Sequence, residues 1–301
     1  MFLNIPNQII EGFPNVSLSI KREDLIHPLV SGNKFRKLKY NLLEATAQNQ
    51  KQLLTFGGAF SNHIAAVAAI GQLHQIKTIG VIRGDELINS IEENPTLRFA
   101  KFCGMQLDFI SRTAYRNKTE ASFLEQLEQK WNSFYLIPEG GTNAFAIKGC
   151  EEILTEADED FDFICCAVGT GGTISGIINS AKAHQKVLGF PALKGDFLKE
   201  EICRFATNQH WELILDYHFG GYGKVTPELI DFINQFILKT GIPLDPIYTG
   251  KMVFGVIDLI QKEYFPKGSK ILMIHTGGLQ GIEGMNIKLK NKKSPLLLTH
   301  A

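Results

Sequence analysis

Phe163-Ile164-Cys165-Cys166-Ala167-Val168-Gly169-Thr170-Gly171-Gly172-Thr173-Ile174 joins an unbroken apolar run to a glycine-rich turn. Six apolar residues in succession predict a strand covered on both faces. Beyond the glycines, Ile174, Ile177, Ile178 and Ala181 recur at helical spacing. Buried strand, turn and helix in that order form the repeating unit of an α/β fold with a parallel sheet. Glycines let the backbone approach an anion closely, and the N–H groups and dipole at a helix start favour negative charge. Gly169, Thr170, Gly171, Gly172 and Thr173 therefore read as a phosphate site, with a plain strand-to-helix turn as the alternative. A dinucleotide fingerprint fails because its sixth position is Ile174. A Walker A loop fails because neither Gly223-Lys224-Val225 nor Gly250-Lys251-Met252 carries the required Ser or Thr.

Outward from this unit, short apolar runs predict strands over Ser17–Lys21, Gln52–Phe56, Thr78–Ile82, Gln106–Ile110, Phe134–Ile137, Phe161–Val168, Val187–Phe190 and Lys270–His275. Between them, Phe35, Leu38 and Leu42, and then Ile64, Val67 and Ala68, keep helical spacing. The alternation predicts an α/β chain of two open, largely parallel sheets. No linker or repeat divides it, so the expected organisation is a large domain formed by 1–47 and 141–301. A small α/β domain, 48–140, is inserted in it, with crossings near Ala47-Gln48-Asn49-Gln50 and Gly140-Gly141-Thr142-Asn143.

Lys+Arg and Asp+Glu both number 31, which leaves no electrostatic footprint for nucleic acid or an anionic membrane. Small molecules are the expected partners. Hydrophobic residues at 44% and charged residues at 21% are ordinary globular usage. No apolar run is long enough to span a bilayer. Met1-Phe2-Leu3-Asn4-Ile5-Pro6 lacks the basic and apolar regions of a signal peptide, so a cytoplasmic location is expected. The cysteines, Cys103, Cys150, Cys165, Cys166 and Cys203, are odd in number and lack C-x-x-C spacing, which predicts neither a metal site nor a disulfide framework.

The polar loop Ser31-Gly32-Asn33 runs into an amphipathic helix at Lys34, where a lysine reads either as a solvated charge or as the amine that holds an aldehyde cofactor. Gly57-Gly58-Ala59-Phe60 precedes Ser61-Asn62-His63 at another helix start. There Ser61 or Asn62 is an N-cap, a binder of a carboxylate or hydroxyl, or both. Tyr222 stands among glycines in Phe219-Gly220-Gly221-Tyr222-Gly223, and Tyr248-Thr249-Gly250-Lys251 follows Leu244-Asp245-Pro246. His275-Thr276-Gly277-Gly278 ends a late strand, where α/β sheets place ligand groups. Together these segments predict a pyridoxal-phosphate pocket.

With Lys21-Arg22-Glu23-Asp24-Leu25 and Gly32-Asn33-Lys34-Phe35-Arg36-Lys37-Leu38 added, these motifs, in this order, resemble the 1-aminocyclopropane-1-carboxylate deaminase / D-cysteine desulfhydrase family. The resemblance implies pyridoxal 5'-phosphate as cofactor, the tryptophan-synthase-β-like (fold type II) architecture, a homodimer and a small amino acid as substrate. It implies that Lys34 carries the cofactor, with Asn62 near its phenolic oxygen and His63 against its ring. Residues 169–173, with Lys37, would hold the phosphate. Ser61 would face the substrate carboxylate, and Tyr222 and Tyr248 would line the reacting side.

Two positions separate activities within the family. Ring-opening deaminases carry Glu after the second tyrosine and Leu after the late histidine, whereas this chain has Thr249 and Thr276 and so resembles the D-cysteine desulfhydrases. A Glu beside the pyridine nitrogen would strengthen the electron sink that carbon–carbon cleavage needs, while thiol elimination brings its own leaving group. The expected activity is β-elimination from D-cysteine to pyruvate, ammonia and sulfide. The rivals are a ring-opening deaminase and a catalytically silent cofactor-binding regulatory protein. Phe60 stands where relatives usually have Gln, an Arg often present shortly after the Ser-Asn pair is missing, and the chain is short for the family. Phe60 is expected to narrow the pocket beside the substrate.

Overall fold

The computed structural model describes residues 5–195 and 197–299. Met1-Phe2-Leu3-Asn4, on which part of the signal-peptide reading rests, lie outside the described residues, as do the extreme ends of the expected large domain. The strands are β1 (Asn7–Ile10), β2 (Ser17–Lys21), β3 (Gln52–Gly58), β4 (Lys77–Arg83), β5 (Gln106–Ile110), β6 (Tyr135–Ile137), β7 (Phe163–Val168), β8 (Lys186–Pro191), β9 (Trp211–Leu213) and β10 (Lys270–Ile274). The helices are α1 (Asn33–Ala47), α2 (Asn62–His74), α3 (Pro95–Phe102), α4 (Arg112–Arg116), α5 (Ala121–Trp131), α6 (Ala144–Cys150), α7 (Gly172–Ser180), α8 (Phe197–Cys203), α9 (Pro227–Thr240), α10 (Thr249–Gln261) and α11 (Gly281–Asn291).

Among the described residues the strands form two sheets, one ordered β1-β2-β10-β7-β8-β9 and the other β5-β4-β3-β6. Only β1 pairs antiparallel, with β2; every other pairing is parallel. Alternate residues of the larger sheet serve two cores. Leu18, Ile20, Cys165, Ala167, Leu188, Ile271 and Met273 pack with α9, α10 and α11. Ile164, Cys166, Val168, Val187, Leu272 and Ile274 pack with α6, α7 and α8. Period-2 alternation in a strand covered on both faces explains why β7 is apolar throughout. Cys165 and Cys166 thus act as small buried hydrophobes on opposite faces, and burial pushes both thiols far up in pKa.

The smaller sheet is likewise covered twice, by α1, α2 and α3 over Leu53, Ile82 and Ile137, and by α4 and α5 over Leu54, Phe56, Ile79 and Val81. Its strands run from Gln52 to Ile137, within the 48–140 segment that we propose as the inserted domain. Helix α1 belongs to both halves: Leu38 and Ala45 bury in the core of the small sheet, while its backbone at Arg36 lies against Gly149 of α6, where a Cβ would not fit. Lys34, at its first turn, is therefore fixed relative to both sheets.

The Lys21-Arg22-Glu23-Asp24 motif is a set of ion pairs that sets this geometry. Lys21 pairs with Asp158 at 2.6 Å, both fully buried. Arg22 pairs with Asp24, and Glu23 receives a forked pair of hydrogen bonds from Arg36 at 3.0 and 2.9 Å. Forked arginine–carboxylate contacts fix orientation as well as distance. They tie the turn after β2 to the first turn of α1.

Candidate active site

The carboxyl ends of three adjacent parallel strands of the larger sheet meet at one edge. β2 leads to the loop before Lys34, β10 to His275-Thr276-Gly277-Gly278, and β7 to the glycine turn 169–173. From the smaller sheet, β3 leads to Ser61-Asn62-His63 and β6 to Glu139-Gly140-Gly141. A crevice outside carboxyl strand ends is where such sheets bind ligands.

Gly32 caps α1 at φ 61, and a Cβ there would run into the Thr276 carbonyl; only glycine permits that approach. The Asn33 N–H then donates to the Thr276 carbonyl at 3.1 Å and Asn33 Nδ2 donates to Thr173 Oγ1 at 2.8 Å, which draws together three of the predicted segments. Lys34 Nζ lies 3.2 Å from Asn33 Oδ1. Although Lys34 retains some accessible surface, its amine sits deep among protein atoms. Desolvation, and then the neighbouring Lys37 ammonium, lower its pKa from 10.5 to about 7.

Lys37 is 2% exposed, and its ammonium donates to the Gly140 carbonyl at 3.1 Å and to Thr142 Oγ1 at 3.2 Å, with no carboxylate paired to it among the described residues. Desolvation lowers its pKa also. A buried cation held only by neutral oxygens suits an incoming anion. The surroundings match: Thr142 Oγ1 is 2.6 Å from Thr170 Oγ1, and a Cβ on Gly172 would lie 2.9 Å from Thr142 Oγ1 and 3.1 Å from Lys37 Nζ. The start of α7 is capped by Gly171, with no side-chain cap on its N–H groups. Lys37, Thr142, Thr170 and the first turn of α7 thus form a cradle fit for a phosphate.

Ser61 caps α2, accepting from the Ile64 N–H at 3.3 Å, and the helix begins at Asn62. His63 is 2% exposed and its tautomer follows from its neighbours. Thr55 Oγ1 spends its proton on the Ile137 carbonyl at 2.8 Å, so it accepts from His63 Nε2 at 2.8 Å. Nδ1 is left as a lone pair with no partner, and desolvation with the Lys34 and Lys37 charges keeps the ring neutral, its pKa well below 6.5. An orphaned, buried acceptor beside two lysines is a second sign that the crevice is built around a polar ligand. Asn62 faces the loop after β10: a Cβ on Gly278 would lie 2.7 Å from Asn62 Nδ2 and 3.6 Å from Asp245 Cγ.

Asp245 organises the tyrosine side. Fully buried, its carboxylate accepts from the N–H groups of Ile247, Tyr248 and Thr249 at 2.8–2.9 Å and from the Thr249 hydroxyl. The Thr249 hydroxyl, expected to face the cofactor ring, is therefore spent on Asp245. Tyr248 stands edge-on to Tyr222, ring centres 6.2 Å apart. Burial, then Tyr222, pushes the Tyr248 phenol well above its ordinary pKa, so it stays protonated. Desolvation raises Tyr222 in the same direction, although the residue as a whole is 46% exposed. The Tyr222 loop is fastened by Lys251, whose ammonium donates to the His218 and Gly221 carbonyls at 2.9 Å each. His275 Nε2 donates to the Pro243 carbonyl at 2.7 Å and its Nδ1 lies 3.2 Å from the Gly277 nitrogen, so this ring is a strut of the Thr276 loop.

The predicted site residues thus gather along this one crevice edge, Thr276 through its carbonyl. The Phe60 ring lies against Gly284 of α11 and beneath the Lys288 ammonium, 4.1 Å from the ring centre. Gly284 has no side chain, which leaves room for it. Thr142 and Asp245 were missed as site residues, because a threonine after paired glycines and an aspartate before proline look like ordinary turn chemistry.

A family described as "Pyridoxal-phosphate dependent enzyme" matches residues 7–277. The chain is 33% identical over 305 residues to a bifunctional D-cysteine desulfhydrase/1-aminocyclopropane-1-carboxylate deaminase, mitochondrial, of Arabidopsis thaliana, covering 91% of this chain and 75% of that protein. It is 30% identical to a 1-aminocyclopropane-1-carboxylate deaminase of Rhizobium rhizogenes, covering 92% and 91%. A crystal structure of an ACC deaminase homologue superposes with a TM-score of 0.82 at 28% identity, covering 95% of this chain and 93% of that one. The neutral His63 acceptor, the unpaired Lys37 cation and the glycine cradle agree with the cofactor that this likeness brings. The chain belongs to the pyridoxal-phosphate-dependent enzymes of fold type II, in the 1-aminocyclopropane-1-carboxylate deaminase / D-cysteine desulfhydrase family.

Proposed function

We propose that the protein eliminates the thiol of D-cysteine, giving pyruvate, ammonia and sulfide. The observation that carries this reading is Thr249. In place of a glutamate, a neutral side chain, 0% exposed, stands at the start of α10 with its hydroxyl engaged by Asp245. A second carboxylate at 249 would face the Asp245 carboxylate in a buried setting, an arrangement that like-charge repulsion and desolvation both oppose. The bifunctional Arabidopsis relative supports the reading, and the deaminases among the relatives support the rival ring opening.

In the proposed site Lys34 carries the cofactor aldehyde; Gly169, Thr170, Gly171, Gly172 and Thr173, with Lys37 and Thr142, hold its phosphate; and Asn62 and His63 flank its ring. Pyridoxal phosphate supplies the electron sink that stabilises negative charge at Cα. Ser61 and the unpaired N–H groups at the start of α2 bind the substrate carboxylate. Lys34 Nζ, once the substrate amine has displaced it from the aldehyde, would take the Cα proton, and with its pKa lowered to about 7 the free amine is about half neutral near pH 7. The Cβ–S electron pair leaves with sulfur as the Cα–Cβ double bond forms, and a protonated phenol, Tyr248 with Tyr222 beside it, donates to the departing thiolate. Addition of water then yields pyruvate and ammonia.

The test is a panel of D- and L-amino acids with 1-aminocyclopropane-1-carboxylate. Sulfide and pyruvate from D-cysteine, faster than 2-oxobutyrate from the cyclopropane, are expected. Faster ring opening replaces the proposal with the deaminase, and no turnover of any member replaces it with a silent cofactor-binding protein.

A further inference from the structure

The crevice continues beyond the proposed reaction site along the small sheet. The carboxyl ends of β4, β5 and β6 point to the same edge as that of β3, and they carry Arg83, the α4 segment and Glu139. These groups line a cavity of about 260 Å³ with Arg112, Tyr115, Arg116 and Lys118. Its inner wall is shared with the site. The Arg83 guanidinium would lie 3.5 Å from a Cβ on Gly58, in the turn before Ser61, and Glu139 immediately precedes Gly140, whose carbonyl holds Lys37.

Four cations line this cavity. Arg112 is paired with Glu86 and Lys118 with Glu139 at 3.3 Å, while Arg83 and Arg116 have no carboxylate partner among the described residues. Tyr115 adds an independent sign. Its ring belongs to the core beneath, edge-on to Phe56 at 6.1 Å, a position that a phenylalanine would fill as well. Yet Tyr115 is 2% exposed, and its buried hydroxyl makes no hydrogen bond of good geometry, the nearby Glu139 carboxylate serving only to raise its pKa after desolvation. Buried tyrosine hydroxyls ordinarily find one. The Arg83 guanidinium and the Lys118 ammonium sit over the ring, 5.6 and 4.9 Å from its centre. A phenol donor in a cavity lined by the Arg83 and Arg116 guanidiniums, neither of them compensated by a carboxylate among the described residues, calls for oxygen acceptors with negative charge.

We propose that the Arg83–Arg116–Tyr115 cavity binds a small oxyanion, a carboxylate or phosphate, at the rim of the active-site crevice. The anion is either free in solution or the second acidic group of an amino-acid substrate. The substrate-borne form rests on the proposed elimination chemistry; the free-anion form does not.

The experiment uses the cofactor-loaded protein, an Arg83→Gln/Arg116→Gln double variant and Tyr115→Phe, with thermal melts to show that all are folded. Inorganic phosphate is titrated by calorimetry, and D- and L-aspartate and glutamate are titrated by the change in cofactor absorption, with cysteine as reference. If the anion is free, phosphate binds the parent protein and weakens about tenfold or more in the double variant, as loss of charge-assisted hydrogen bonds requires, and by less in Tyr115→Phe. If it is substrate-borne, half-saturation by the acidic amino acids rises by a similar factor while that of cysteine is unchanged. Either result supports the cavity as an anion site. Failure of both probes to bind the parent protein, or equal binding by parent and double variant, overturns it. Because phosphate binding needs no turnover, its outcome is readable even where the elimination proposal fails.

Discussion

Lys34 gives the sharpest quantitative expectation. With its pKa lowered to about 7, roughly half of the amine is neutral at pH 7, whereas a lysine at 10.5 is neutral in only about 0.03% of molecules, a gain on the order of a thousandfold in nucleophile. Recombination of the cofactor-free protein with pyridoxal phosphate, followed by absorbance, should therefore accelerate through a midpoint near pH 7 and level off by about pH 8. A parallel series with Nα-acetyl-lysine removes the cofactor's own titration. Lys37 is the second cause of the shift after desolvation, so Lys37→Met should move the midpoint upward, on top of the pH-independent loss from the phosphate cradle. Stability follows the same group. Between about pH 7 and 10.5 the unfolded chain keeps a proton that folded Lys34 has released, so the cofactor-free protein should gain stability as pH rises through that window. A rate still climbing toward pH 10, or a midpoint indifferent to Lys37→Met, would refute the electrostatic account of this lysine.

Three further outcomes are expected. Gly171→Val, at φ 84 and at the cap of α7, should weaken cofactor retention far more than it lowers the melting temperature of the cofactor-free form; unchanged affinity in a folded variant would move the phosphate elsewhere. Lys251→Met leaves the His218 and Gly221 carbonyls without their donor, at a cost of ~1–3 kcal/mol by urea unfolding, and should reduce turnover with cofactor retention intact, since it acts on the Tyr222 loop; equal turnover would remove Lys251 as a positioning residue. A Thr249→Glu/Thr276→Leu double variant should lose sulfide release from D-cysteine, and retention of full activity would discard the role given to the two threonines.

What the sequence made legible is what depends on near neighbours. The apolar run of β7 and the glycine turn after it are local, and both stand where expected. The strands that escaped notice, β1 with its mixed Asn7-Gln8-Ile9-Ile10 and the three-residue β9, are short sheet edges whose pattern is too brief to show a period. The Lys21-Arg22-Glu23-Asp24 motif could be quoted but not explained, because its partners Asp158 and Arg36 lie far along the chain or across a turn. The same holds for Lys37, whose value as an anion binder comes from the absence of a nearby carboxylate. Phe60 could be marked as unusual, yet its place depends on a glycine at 284.

Borohydride reduction of the purified, cofactor-loaded protein followed by peptide mapping tests the central claim most directly. The account predicts a yellow protein that loses its visible band on reduction, with the phosphopyridoxyl group fixed on the peptide containing Lys34. A label on any other lysine, or a protein that stays colourless with excess pyridoxal phosphate, would contradict it.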